Sequence, residues 1–189
     1  MQILWTIFWA AVLAVLPLGV PVVAVGQGVG VARYEHALGE RLQVRSAVLG
    51  EAREYLVGLP HGYSSDAAYP LIVVLEAETV FETFGALTRL MADAGEIPSS
   101  IVVGVPLQGR ELDFAPRLAD HPGSGYADTM LEHFRTELFP ALDSLYGLTG
   151  DRVIWGHSAL GGLFCTYLLL GPDAQFTGIL SSSPNLRFT

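Results

Sequence analysis

The chain of 189 residues carries 19 acidic residues against 10 basic ones, all of them arginine, for a net charge of -9 at neutral pH. That excess of carboxylates repels phosphate backbones and argues against a nucleic-acid partner, while the absence of lysine removes Schiff-base chemistry and a P-loop cation. The single cysteine, Cys165, excludes an internal disulfide and a cysteine-rich zinc site.

Residues 3–25 are uncharged, and about 20 apolar residues suffice to span a bilayer. Pro17 and Pro21 interrupt the second half, Ala24-Val25-Gly26 is a small-x-small step, and Gln27 with Gly28-Val29-Gly30 reads as a polar, loop-like continuation. The segment 1–26 is therefore expected to be a signal peptide cleaved near Gly26, although it lacks the usual positively charged start. A retained membrane anchor is the alternative. Both readings export the remainder, to the periplasm or as a secreted protein, with membrane contact only through an uncleaved segment. In that compartment a lone Cys165 is expected to be buried and inert. The remaining 31–189 have the size of one domain, about 160 residues.

Along that domain, short half-alternating segments at 42–49 and 54–59, joined through Gly50-Glu51, predict an antiparallel pair on a sheet edge. Residues 71–75 (LIVVL) and 101–105 (IVVGV) are continuous apolar runs, as expected of strands covered on both faces. Residues 153–155 give a shorter run of the same kind, and 177–180 a fourth. Between them, Phe81, Phe84, Leu87, Leu90 and Met91 recur at helical spacing across 81–94, and Met130, Phe134, Leu138, Leu142 and Leu145 across 126–146. Pro140 is expected to kink or break the second helix, because proline removes a backbone donor. Residues 163–170 form an apolar helical segment after two glycines. A hairpin followed by strand–helix alternation predicts an α/β fold with a mostly parallel sheet. The proline-containing stretch 106–125 is expected to be a long loop of the kind that lines active sites.

The chemistry concentrates in Val153-Ile-Trp-Gly-His-Ser-Ala-Leu-Gly-Gly-Leu-Phe164. A buried strand running through Gly156-His157-Ser158 into a helix with small residues at its start is the context of a nucleophile elbow, in which a tight turn lifts a serine hydroxyl above the sheet. The glycines matter because Cβ atoms would collide where strand and helix cross. The N–H of Ala159, next after the serine, is then placed to stabilise an oxyanion. The spacing departs from G-x-S-x-G: position 160 is leucine and the glycines fall at 161 and 162, as if one residue were inserted. A strand–helix turn built for packing alone is the competing account of this motif.

Several further pieces stand in order across 42–189: Tyr55-Leu-Val-Gly-Leu-Pro60 with Gly62-Tyr63, Tyr69-Pro-Leu-Ile-Val-Val-Leu75, Ile97-Pro98, Ile101-Val-Val-Gly-Val105, Arg110 with Asp113-Phe-Ala-Pro116, Glu137-Leu-Phe-Pro140, Tyr146, Gly156-His-Ser158 with Gly161-Gly-Leu-Phe164, Phe176 and Ser183-Pro184. Together they resemble the Putative esterase family of α/β hydrolases, which includes enterobactin-type siderophore esterases, esterase D-like enzymes and related exported acyl hydrolases. The resemblance implies an α/β-hydrolase sheet with an N-terminal antiparallel hairpin. It also implies an exported serine ester hydrolase acting on small-molecule carboxylic, acyl or siderophore-type esters. Ser158 would be its nucleophile, with no metal or organic cofactor. A second oxyanion N–H would come from the loop at Glu76-Ala77, where similar members commonly carry Leu-Asp-Gly instead of Leu75-Glu76-Ala77.

In that fold the triad runs Ser, then Asp or Glu, then His. Beyond Ser158 the sequence contains one acid, Asp173, and no histidine; His36, His61, His121, His133 and His157 all precede it. The resemblance thus covers the nucleophile half, with the C-terminal part of the fold missing. The alternative function is a truncated, catalytically inactive relative serving as a binding or interaction module.

Other residues have structural readings beside functional ones. His157 suits packing or hydrogen bonding more than base catalysis, and His121, beside Asp120, is a solvated loop residue or a substrate-loop group. His133 is expected to be half-exposed. Asp173 fits turn chemistry. Arg110 either pairs with Asp113 to fix the loop or meets a substrate carboxylate. Glu76 and Glu78 lack a nearby histidine for a metal site, and Phe81 and Phe84 are expected in the core.

Overall fold

β-branched runs dictate the centre of the fold. The computed structural model describes residues 22–25, 29–32, 39–108, 112–171 and 175–186, in two units that divide between residues 36 and 37. In the first, β1 (Val22–Val25) pairs antiparallel with β2 (Val29–Ala32). Val29 and Gly30, expected in a loop, belong to β2, in keeping with the extended preference of the valines on both segments. The leader reading rests mainly on residues 1–21, outside the described residues, as do Arg110, Asp173 and His36.

The second unit holds a six-stranded sheet. Its strands are β3 (Glu40–Arg45), β4 (Ala52–Gly58), β5 (Tyr69–Leu75), β6 (Ile101–Val105), β7 (Leu148–His157) and β8 (Gly178–Ser182), in the spatial order β3-β4-β6-β5-β7-β8. β4 runs antiparallel to both of its neighbours, β3 and β6, and β6, β5, β7 and β8 are parallel. This is the mostly parallel α/β sheet expected from the hairpin-then-alternation pattern, with the hairpin at one edge, as the resemblance to α/β hydrolases also implies.

The pleat sorts each apolar run onto two faces. Leu71, Val73 and Leu75 of β5, Ile101, Val103 and Val105 of β6 and Ile154 of β7 face a core completed by Phe134, Leu138, Leu142 and Phe164. Val74 and Val102 face the other way, toward Ala77 and Phe81 of α1 (Ala77–Asp93), with Phe84 and Trp155 packed beside them. Helices α2 (Ala127–His133), α3 (Phe139–Tyr146) and α4 (Leu163–Leu170) cover the first face. Covered on both sides, the central strands need no polar alternation.

Pro140 does not break its helix. The chain passes from α2 through a π-helical turn, Phe134–Leu138, directly into α3, with Pro140 in the first turn of that element. A widened turn just before the proline shifts the hydrogen-bond register where the ring would otherwise meet the preceding turn.

His133 also departs from expectation: it is fully buried. It lies one helical turn before Glu137 on the face turned toward β4. Its Nε2 is 2.5 Å from the Tyr55 hydroxyl and its Nδ1 is 2.6 Å from Glu137 Oε2. Glu137 in turn accepts the Ser46 hydroxyl and the N–H groups of Ala47 and Val48, at 2.8 and 3.2 Å for the two amides. Both ring nitrogens are satisfied, so the ring tolerates burial, and the network ties the β3–β4 turn to the helix.

The strand order places the site. From β5 the chain crosses by α1 to β6 on one side, then returns past β5 to β7 on the other. The loops leaving the carboxyl ends of β5 and β7 therefore diverge, and open α/β sheets bind ligands at such a point. Glu76 follows β5, and Ser158 follows β7.

Candidate active site

His157 ends β7 in extended backbone, with φ -123° and ψ 151°. Ser158 then turns sharply, with φ at 61°. A side chain other than glycine in the left-handed region is strained and persists only where its surroundings hold it. From Ser158 to Gly162 the chain forms a π-helical turn that leads into α4. The extra residue of the motif falls in this turn, whose hydrogen bonds span one residue more than those of an α-helix. Leu160 is partly buried against the main core.

The glycines have a direct steric cause. A Cβ on Gly156 would stand 2.1 Å from the carbonyl oxygen of Gly161, and one on Gly161 would stand 2.7 Å from Glu76 Oε2 and 3.1 Å from Gly156 Cα. Gly161 thus makes the close approach to the strand that the second glycine of G-x-S-x-G would make from one position earlier.

Around the serine, the Asn185 N–H donates to the Ser158 carbonyl at 3.1 Å. Ala159 occupies the first turn, where N–H groups have no intrahelical acceptor. Across the divide, Glu76 also adopts left-handed backbone, φ 53°, and stands at the N-terminus of α1. Its side chain reaches back to the elbow, where Oε2 accepts the Gly161 N–H at 2.9 Å. Burial pushes the Glu76 carboxyl up, opposed by the Gly161 N–H and the neighbouring His157. Leu75, Glu76, Thr79, Val80, Trp155 and His157 line a mostly apolar cleft of about 330 Å³ beside the turn. Trp155 is fixed in it by Phe84, at 4.5 Å between ring centroids, and by its indole N–H to Ser182 Oγ at 2.9 Å.

The structure brings Ser158, Ala159, Glu76 and Ala77 to one end of the sheet. It does not bring a base to the serine: among the described residues Ser158 Oγ has no hydrogen-bond partner. His157 is exposed and stacked on Trp155. His121 is exposed in the β6–α2 loop, where its carbonyl accepts the Ser124 hydroxyl and N–H at 2.7 and 2.9 Å. Asp113 is buried and ion-paired with Arg53 of β4, a partner that nothing in the sequence singles out. Glu78 accepts the Leu107 N–H at 2.5 Å and so holds the start of that loop. Among the described residues no group of acids, histidines and cysteines could hold a metal ion. Cys165 is buried, and burial pushes its thiol up to about 12, which leaves no thiolate at neutral pH.

Known proteins resemble this chain. The model of the Putative esterase family matches residues 46–188. Ferri-bacillibactin esterase BesA of Bacillus subtilis is 28% identical over 145 residues, which cover 65% of this chain and 50% of BesA. The IroE-like serine hydrolase from Shewanella oneidensis is 29% identical, with a TM-score of 0.66 over 74% of this chain and 48% of its own. The BES protein from Bacillus cereus is 25% identical, with a TM-score of 0.71 over 86% of this chain and 67% of its own. The chain spans about half the length of BesA and of the IroE-like hydrolase. A sheet of hydrolase order, a left-handed serine at the end of β7 and a family match across 46–188 agree, and the chain belongs to the Putative esterase family.

Proposed function

We propose that this chain carries the nucleophile and oxyanion parts of a serine ester hydrolase acting on small-molecule carboxylic esters, siderophore-type esters among them. The observation that carries the reading is Ser158 itself, held at φ 61° between Gly156 and Gly161 at the carboxyl end of a central parallel strand. The likeness to an esterase of ferri-bacillibactin supports the substrate class.

In this reading Ser158 Oγ attacks the ester carbonyl carbon and the carbonyl electron pair moves onto oxygen. The Ala159 N–H and a second N–H at Glu76-Ala77 receive that negative charge. The hydroxyl proton leaves to solvent hydroxide, which becomes water. Collapse of the intermediate breaks the carbon–oxygen bond to the alcohol, which takes up a proton. Water then releases the acid from the acyl-serine. The uncharged stretch 3–25 supports export. The test is hydrolysis of p-nitrophenyl acetate by the full chain: a turnover abolished by Ser158→Ala supports the reading, and equal turnover in both proteins refutes it.

A further inference from the structure

The side chain of Glu76 does something its backbone position does not require. We propose that the Glu76 carboxylate is a positioning residue: by accepting the Gly161 N–H it holds the π-helical turn on which Ser158 and Ala159 are carried. The proposal rests on the serine-nucleophile reading and assigns a further residue to the same site.

Four observations lead there. The two residues at the carboxyl ends of neighbouring strands, Glu76 and Ser158, both sit in the left-handed region, at φ 53° and 61°. Such strain is sustained only by local contacts, and the 2.9 Å bond from the Gly161 N–H to Glu76 Oε2 ties the two turns together. The turn is also wider than an α-helical one, and its early N–H groups have no acceptor within the helix. Lastly, the fit is tight on both sides, because a Cβ on Gly161 would stand 2.7 Å from the carboxylate oxygen. The carboxylate fills the space that the missing side chain leaves.

Reach makes the role specific. An aspartate is shorter by one carbon–carbon bond, about 1.5 Å, and cannot span to the Gly161 N–H from the same backbone. A glutamine keeps both the length and a carbonyl acceptor. The experiment compares Glu76→Gln, Glu76→Asp and Glu76→Ala in the full chain, with two readouts. Amide hydrogen exchange of Gly161, followed by NMR, reports the hold itself without any reference to reactivity. The rate of Ser158 labelling by a fluorophosphonate reports positioning.

The expected result is Gly161 exchange at least tenfold faster in the Asp and Ala variants, with protection restored in the Gln variant. Labelling of the Gln variant should exceed that of the Ala variant at least tenfold. Equal Gly161 exchange in all four proteins overturns the proposal even if Ser158 labels readily. Altered exchange with equal labelling in every variant also overturns it, because the turn would then be held without consequence for the serine. A wild-type chain that never labels refutes the nucleophile reading instead, and the exchange data identify that case.

Discussion

Gly156→Ala is the sharpest perturbation of the elbow. The new Cβ would lie 2.1 Å from the Gly161 carbonyl oxygen and 2.3 Å from its carbonyl carbon, about 1.3 Å short of ordinary contact. Neither side yields easily. β7 is hydrogen-bonded to β5 and to β8, with Gly156 opposite Ser181, and Gly161 is tied to Glu76. Overpacking of backbone against backbone costs about 3 kcal/mol, or a melting temperature lower by about 6–12 °C in a domain of this size. The shift falls on the turn bearing Ser158, and a misplacement of about 1 Å costs roughly 100-fold in rate. Thermal unfolding and fluorophosphonate labelling measure the two effects. Gly85→Ala is the control: it lies inside α1 and its Cβ would meet nothing within 4 Å. That variant should be more stable by about 0.5–1 kcal/mol and label normally. A Gly156→Ala protein that melts and labels like wild type would refute the steric argument for the elbow.

Other parts of the molecule give three more expected outcomes. Burial alone would raise the Glu137 carboxyl, but hydrogen bonds from Ser46, His133 and the amides of Ala47 and Val48 outweigh it and bring it down to about 2. Its contribution is therefore complete above the ordinary carboxyl range near 4.5 and fades as pH falls toward 2. Burial also lowers His133, so protonation of the unfolded chain below about 6.5 adds to the acid instability. Glu137→Gln should cost about 2 kcal/mol at pH 7, a difference that shrinks at pH 3; denaturant curves that stay parallel from pH 6 to 3 contradict this. If solvent hydroxide takes the Ser158 proton, the labelling rate should climb about tenfold per pH unit from 6 to 9; a plateau with a midpoint near 7 would reveal a histidine base. If export proceeds by cleavage near Gly26, the full chain expressed in a bacterium should be recovered from the periplasm beginning near Gln27, and an intact Met1 on cytoplasmic material would rule out the export reading.

The parallel core was legible because LIVVL and IVVGV need no partner information: β-branched runs of that length read as strands covered on both faces. The ends were less so. β7 extends back to Leu148 through Thr149 and Asp151, whose polarity hides an extended backbone, and α1 begins at Ala77 because Glu76 turns left-handed just before it. The elbow could be read from Gly156-His157-Ser158, but the fate of the inserted residue could not. Spacing alone does not reveal a widened turn, which the π-helical hydrogen bonding of Ser158–Gly162 shows. Contacts between distant positions escaped altogether. Tyr55 and His133 are 78 residues apart, and Arg53 and Asp113 are 60 apart. The one available signal was His133 and Glu137 at i, i+4 on one helix face, which marks a histidine with a ready partner.

The central claim is that Ser158 is a nucleophile in this chain. Treating the full chain with a fluorophosphonate and mapping the adduct by peptide mass spectrometry, beside Ser158→Ala, asks that directly. A nucleophilic Ser158 predicts a single adduct on that residue, absent from the variant. A folded chain that takes no label at Ser158, or that labels equally well without it, would contradict the claim and leave the elbow a packing turn.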